Sequence, residues 1–361
     1  MRIGVLGGAG DMGARAVEVL AERDEVDEVV VLDRDRDRGA RLANELPGVR
    51  FEPFDAEDRG TVVSALSGFD AVASALGPFY RFEVPMALAA IEARVPYVSI
   101  CDDHDATAAV LDLDDRAREA GVTILTGLGW TPGLTNLAVR ELHDELGGLD
   151  VARVFWAATA LDSSGHAVML HTMHVFDGYV PIVRDGITEL VRAGGAREPV
   201  RFPKPLGQVT VSAVGHPEPV TLPRFLPGLR RVDLKGGLAE GFLDGLVRGL
   251  SGAHLLATHG RRRRLARVIG PLLPTLERFS PPYAASAWRV DGAYENRTAS
   301  RWGLGHMADL TGTPLAVGAL LLASAELEAP GVLVPEADAV PHARIRGLLD
   351  GFGVTSCPPS S

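Results

Sequence analysis

Six residues near the start, Gly8-Ala9-Gly10-Asp11-Met12-Gly13, constrain this chain more than any others. They spell G-x-G-x-x-G, and their setting gives the pattern its meaning. The short apolar run Arg2–Leu6 precedes them and helical spacing over residues 11–23 follows. A buried strand entering a helix through such a loop needs Gly8 for the turn, Gly10 for close approach of a pyrophosphate and Gly13 for helix–strand contact. The first helical turn, with Asp11 and Met12, offers free N–H groups and the positive end of the helix dipole to phosphates. The loop therefore predicts a dinucleotide-binding unit.

The next 120 residues support that reading. Strand-like runs at 29–32, 49–54, 71–76, 97–101 and 122–125 alternate with helical patterns at 36–46, 61–66, 82–93 and 106–120. Repeated βα units of this kind predict an α/β fold with an N-terminal Rossmann doubly wound parallel sheet. Asp33 ends the second run, where the fingerprint places the carboxylate that accepts ribose hydroxyls and repels a 2′-phosphate. Arg34 follows directly and can grip that phosphate instead. The cofactor is NAD or NADP, with NAD favoured.

Ligands of such sheets bind beyond the carboxyl ends of the strands. Those ends carry Gly77, Pro78, Phe79 and Tyr80, then Asp102, Asp103, His104 and Asp105, then the loop Gly127-Leu128-Gly129-Trp130-Thr131-Pro132-Gly133. Gly77, Pro78 and Phe79 are expected beside the cofactor. Asp102, His104 and Tyr80 are the acid/base candidates, since acids beside an imidazole can move pKa values toward neutrality. Asp105 is expected to cap the next helix.

Residues 1–132 are thus the expected nucleotide domain, 133–305 a second α+β domain, and 306–361 a C-terminal helical segment. Beyond the loop come a helix at 134–146, a strand at 151–161, helices at 236–256 and 261–276, an edge strand at 287–293, and helices at 306–329 and 343–352. His171 and His174 would share a helix face. A metal there lacks a nearby acidic third ligand, and none is expected. The stretch Val214–Arg224 is read as a proline-braced loop offering His216, Glu218 and Arg224, the last able to clamp a carboxylate.

Composition limits the partners. A formal charge of −11 gives no support to nucleic-acid binding. Cys101 and Cys357 form neither a metal motif nor a disulfide framework, which suits a reducing cytoplasm. No apolar run reaches membrane-spanning length. The basic run Arg261-Arg262-Arg263-Arg264 reads as a solvated helix face rather than a membrane contact.

The glycine loop, Gly77-Pro78-Phe79, Tyr97-Val98-Ser99-Ile100-Cys101-Asp102 and the run from Gly127 to Asn136 together resemble the saccharopine dehydrogenase family, most closely members of lysine 6-dehydrogenase type. Thr311-Gly312-Thr313-Pro314 and Gly331-Val332-Leu333-Val334-Pro335-Glu336 are similar to the family's ending. The resemblance implies hydride transfer at a carbon–nitrogen bond of an amino acid or related amine. It also implies C-terminal helices packed on the first domain, and a second-domain sheet used for homodimerisation. His174-Val175-Phe176 resembles the family's substrate pocket, and Lys235 aligns with a family lysine. The apolar segment 166–176 departs from pockets built for several carboxylates and points to a smaller or more hydrophobic substrate. Alternatives are a transferase of homospermidine synthase type that uses NAD transiently, a reductase of a carbonyl or enoyl lipid-like substrate, and a dinucleotide-binding sensor without catalysis.

Overall fold

A computed structural model describes residues 1–58, 60–162, 166–270, 283–354 and 356. The chain divides into two compact units, Met1–Leu134 with Ala308–Thr355, and a second centred on Thr135–Met307.

In the first unit, the apolar runs become a parallel sheet. Its strands are β1 (Arg2–Leu6), β2 (Glu28–Asp33), β3 (Val49–Pro53), β4 (Ala71–Ser74), β5 (Tyr97–Ser99), β6 (Thr123–Leu125) and β15 (Gly331–Leu333). Among the described residues their order is β15-β6-β5-β4-β1-β2-β3. Every pairing is parallel, and the order reverses between β1 and β4, the crevice where such sheets bind ligands. Strands buried on both faces explain the unbroken Val29–Leu32 run.

Helix α1 (Asp11–Ala21) buries Gly13, Ala16, Val17 and Leu20, one face at helical spacing. The following helices are α2 (Arg36–Glu45), α3 (Val62–Leu66), α4 (Phe79–Ala93), α5 (His104–Leu111) and α6 (Asp114–Ala120). The single helix expected at 106–120 is therefore two, joined at Asp112 and Leu113. The chain returns through the long apolar helix α12 (Met307–Ala323), the strand β15 and α13 (His342–Gly351). The sequence pattern extended α12 to residue 329; the chain instead leaves the helix at Ser324 and adds β15 beside β6.

The second unit begins with α7 (Leu134–Leu146) and holds a mixed sheet. Its strands are β7 (Val151–Ala158), β8 (Tyr179–Arg184), β9 (Ile187–Arg192), β10 (Glu198–Arg201), β11 (Gln208–Ala213), β12 (Arg231–Leu238), β13 (Ser286–Tyr294) and β14 (Arg297–Gly305). Among the described residues they run β10-β11-β12-β7-β13-β14, with β8 and β9 branching from β12. Three expectations change here. The strand near 287–293 is interior, because β14 pairs along its far side, and its Trp288 is fully buried. Gly236 and Gly237 belong to β12, not to a helix, because the Trp156 indole and the Thr210 carbonyl lie where their side chains would be. Residues 218–225 are a helix, α9 (Glu218–Phe225), because Pro219 sits in the first turn, where no N–H is needed.

Helices α8 (His166–Val175), α10 (Gly241–Gly252) and α11 (His259–Ile269) pack around Leu170, Met173, Leu256 and Ala266. On α11, Arg261, Arg263 and Arg264 are exposed, whereas Arg262 turns inward and donates to the Leu256 carbonyl at 2.7 Å. Residues 271–276 of the helix expected there, and Cys357, lie outside the described residues. Among the described residues, no helix is long and apolar enough to cross a membrane.

Candidate functional site

At the end of β1 the chain turns on Gly7, not Gly8: Gly7 has φ +70°, and a side chain on it would meet the Ala75 carbonyl at 2.8 Å. The Gly7 amide bonds the Leu32 carbonyl at 2.9 Å, fastening the turn to β2. Gly8 is also crowded, with a Cβ there 2.9 Å from the Val5 carbonyl oxygen. Gly13 has the severest need, since its Cβ would lie 2.2 Å from the Gly7 carbonyl oxygen. The start of α1 can rest on the loop only because nothing projects there.

Gly10 differs. It caps α1 in an extended conformation, and a Cβ on it would meet only the Gly7 carbonyl oxygen, at 3.3 Å. The chain restricts this position less than it does Gly7, Gly8 or Gly13. The space left by the missing side chain lies at the N-terminus of α1, where the free amides of the first turn gather. That cradle fits a pyrophosphate.

Asp33 closes the cradle from β2. Its Oδ2 accepts the Ala9 amide at 3.1 Å and its Oδ1 the Asp35 amide at 3.0 Å. Arg34 is exposed. Arg38 pairs with Asp11 at 2.7 Å, and its pKa is raised by that bond, with Asp35 and Asp33 adding to the effect. The Arg38 charge is thus engaged by Asp11.

The other strand ends follow along the same sheet edge. Gly77 and Pro78 lead into α4, which starts at Phe79 and carries Tyr80 in its first turn. Tyr80 donates its amide to Asp103 Oδ2 at 2.8 Å. Asp103, fully buried, is the residue preceding α5; Asp105 lies inside the first turn and accepts the Ala106 amide at 2.9 Å, so the cap position falls on Asp103. Asp102 and His104 flank Asp103 and are half-buried. The Gly127–Gly133 loop folds back tightly, with a Cβ at Gly133 lying 2.0 Å from the Gly129 carbonyl oxygen. Helix α12 braces the same edge. A side chain at Gly312 would meet the Met12 carbonyl at 2.5 Å, and one at Gly129 would touch Thr311.

Sequence reasoning missed Glu83. It is buried in α4 and accepts hydrogen bonds from Tyr97 Oη at 3.0 Å, Ser99 Oγ at 2.5 Å and Thr126 Oγ1 at 3.0 Å. Burial pushes its carboxyl up to about 7 against the pull of those three donors. A signal existed: Glu83 stands three and four residues before Met86 and Ala87 on the apolar face of α4.

The second unit collects its candidates differently. His216, nearly buried, lies with its ring centroid 5.3 Å from that of His171 and 5.7 Å from that of Trp156. Glu218 is fully buried and accepts from Thr135 Oγ1 at 3.2 Å. His174 is half-buried one turn beyond His171 on α8. Arg224 is exposed in the last turn of α9, over Phe225. Lys235 is set apart on β12. Its Nζ lies 2.5 Å from Glu198 Oε1, which Arg153 also bonds at 2.6 Å. Burial raises the Glu198 pKa, but these two cations outweigh it and lower the carboxyl.

Residues 3–125 match the family model described as the saccharopine dehydrogenase NADP binding domain. Across the whole chain, the fold is similar to apo saccharopine dehydrogenase (L-Glu forming) from Saccharomyces cerevisiae, at 16% identity and a TM-score of 0.71, covering 99% of this chain and 100% of that one. It is also similar to homospermidine synthase from Legionella pneumophila, solved with NAD, at 13% identity and a TM-score of 0.63, covering 100% of this chain and 91% of that one. At these identities the likeness is one of fold.

Proposed function

We propose that this chain, whose residues 3–125 match the saccharopine dehydrogenase NADP binding domain model, oxidises an amine or reduces an imine at a C–N bond of an amino acid or related amine. The observation that carries the reading is the shared edge of the parallel sheet. The start of α1 at Gly10 and the Asp33 carboxylate share that edge with the strand ends that bear Tyr80 and Asp102–His104, which supports a pyrophosphate at the first and a ribose at the second.

Bound NAD(P) supplies the hydride acceptor or donor. The amides of Asp11, Met12 and Gly13, in the first turn of α1, hold its phosphates beside Gly10. Asp33 accepts the ribose hydroxyls, and Gly77, Pro78 and Phe79 flank the nicotinamide end. We favour NAD, because Asp33 repels a 2′-phosphate and Arg38 is already engaged by Asp11. A substrate ammonium must lose a proton before its carbon can release hydride, and Asp102 or His104 takes it, with Tyr80 as a further donor. In the second unit, His174, His216 and Arg224 are the proposed substrate contacts, Arg224 for a carboxylate. Lys235, read from the sequence as a contact, is held by Glu198.

We read the protein as a homodimer joined through the second sheet. Among the described residues β9 pairs with β8 alone, and Tyr179 and Leu190 on that hairpin are each 67% exposed. Light scattering of the purified chain reads the oligomeric state directly; a monomer at micromolar concentration would remove this point.

The test of activity mixes purified protein with NAD or NADP and a panel of amino acids and diamines, lysine first, and follows absorbance of the reduced cofactor. Reduction with at least one amine is expected. Silence in both directions, with amines and with aldehyde–amine or keto acid–amine mixtures, would sink the reading. The likeness to a homospermidine synthase solved with NAD supports a second reading, transient use of NAD within an amine transfer. That reaction would form a new amine with no net cofactor turnover, and mass spectrometry of the products separates the two.

A further inference from the structure

Three segments meet at the cofactor edge of the first sheet, and one buried side chain touches the base of each. Glu83, 1% exposed, rises from α4. Its Oε1 accepts from Ser99, the last residue of β5, and from Thr126, the residue after β6. The Ser99 carbonyl in turn accepts the amides of Gly127 at 2.9 Å and Leu128 at 2.8 Å. A second tie joins α4 to the segment after β5, from the Tyr80 amide to Asp103 Oδ2. Helix α4, residues 100–105 and the Gly127–Gly133 loop are therefore cross-linked, and the carboxylate of Glu83 is the hub.

A buried carboxylate is an expensive way to pack a helix. The same face of α4 uses Met86, Ala87 and Ile91 elsewhere. What a carboxylate adds is two oxygens that accept several hydrogen bonds from different strands at once.

We propose that Glu83 is a positioning residue: by accepting from Ser99 and Thr126 together, it fixes the spacing between the segment bearing Asp102 and His104 and the Gly127–Gly133 loop. The inference rests on the reading of that edge as the reaction site. The titratable groups that face Glu83 are Tyr97, Cys101 and Asp103. Burial holds the Tyr97 hydroxyl and the Cys101 thiol well above their ordinary values, so neither ionises near neutrality. When Glu83 itself takes a proton, one of its oxygens becomes a donor, and one of the three hydroxyls must turn to accept.

The test is hydrogen–deuterium exchange on the full chain, comparing wild type with Glu83→Leu, Glu83→Gln and the double variant Ser99→Ala/Thr126→Val. Glu83→Leu should speed exchange at 101–105 and 127–133 about tenfold or more and leave β1, β2 and β3 unchanged. Glu83→Gln should restore protection, because its carbonyl oxygen still accepts both hydroxyls. Unchanged exchange in both segments overturns the proposal, and so does a uniform rise across the sheet, which would make Glu83 an ordinary core residue. If Glu83→Leu does not fold, the double variant gives the same readout with Glu83 in place. Exchange is read without substrate turnover, so failure here is distinct from failure to find amine oxidation. Where turnover is found, Glu83→Leu should lower kcat more than it raises the KM for cofactor.

Discussion

Replacing Glu83 by Gln should flatten the pH dependence of folding stability by a calculable amount. The carboxyl titrates near 4.5 when unperturbed and is pushed up to about 7 by burial in the folded chain. Between those values the folded protein keeps a proton that the unfolded chain has lost. Stability from this group is therefore fully present below pH 4.5, falls as pH rises through 7, and is level above that. A difference of about 2.5 units at 1.36 kcal/mol each amounts to about 3 kcal/mol. Glutamine does not titrate, so the stability of Glu83→Gln minus that of wild type should rise by about 3 kcal/mol from pH 4.5 to 8. Urea unfolding at fixed pH steps across that range, read by circular dichroism, gives both curves. If they run parallel within about 0.5 kcal/mol, Glu83 titrates in the folded chain as it does in the unfolded one, and the hub carries no proton at neutrality.

Other consequences follow from single contacts. Gly13→Ala puts a methyl group 2.2 Å from the Gly7 carbonyl oxygen, so it should weaken dinucleotide binding at least tenfold and lower stability by about 1–3 kcal/mol, measured by calorimetric titration and by urea unfolding. Asp33→Ala removes the carboxylate proposed to face the ribose and should move the ratio of NAD to NADP dissociation constants toward NADP by tenfold or more; an unchanged ratio would place specificity elsewhere. Lys235→Met leaves Glu198 with Arg153 alone, costing about 2 kcal/mol of stability while the KM for substrate stays within twofold; a large rise in KM would restore Lys235 as a substrate contact. Asp102→Asn should lower kcat at least tenfold and leave dinucleotide affinity intact.

Much of the nucleotide domain is legible in the sequence because its determinants are local. Gly13 and Asp33 are required by contacts within the β1–α1–β2 segment, and unbroken apolar runs announce strands covered on both faces. Even there the turn was displaced by one residue, since Gly7 and Gly8 stand side by side and only the backbone shows which takes the left-handed conformation. Glu83 stayed hidden because its partners lie 14, 16 and 43 residues along the chain. The second unit was harder for the same reason. Lys235 meets Glu198 from 37 residues away, and His216 gathers with Trp156 and His171 from two other elements. Strand β13 read as an edge because its partner β14, with two Arg and two Gly in nine residues, begins without an apolar run.

The central claim is that the C-terminal edge of the first sheet binds a dinucleotide and places it for hydride exchange with an amine. Spectrophotometry of wild type and Asp102→Asn with NAD, NADP and the amine panel tests it most directly. The account predicts cofactor reduction by wild type with at least one amine, faster with NAD than NADP, and a loss of at least tenfold in the variant. Equal rates in the two proteins would contradict the assignment of the acid/base group, and absence of dinucleotide binding at millimolar concentration would contradict the account itself.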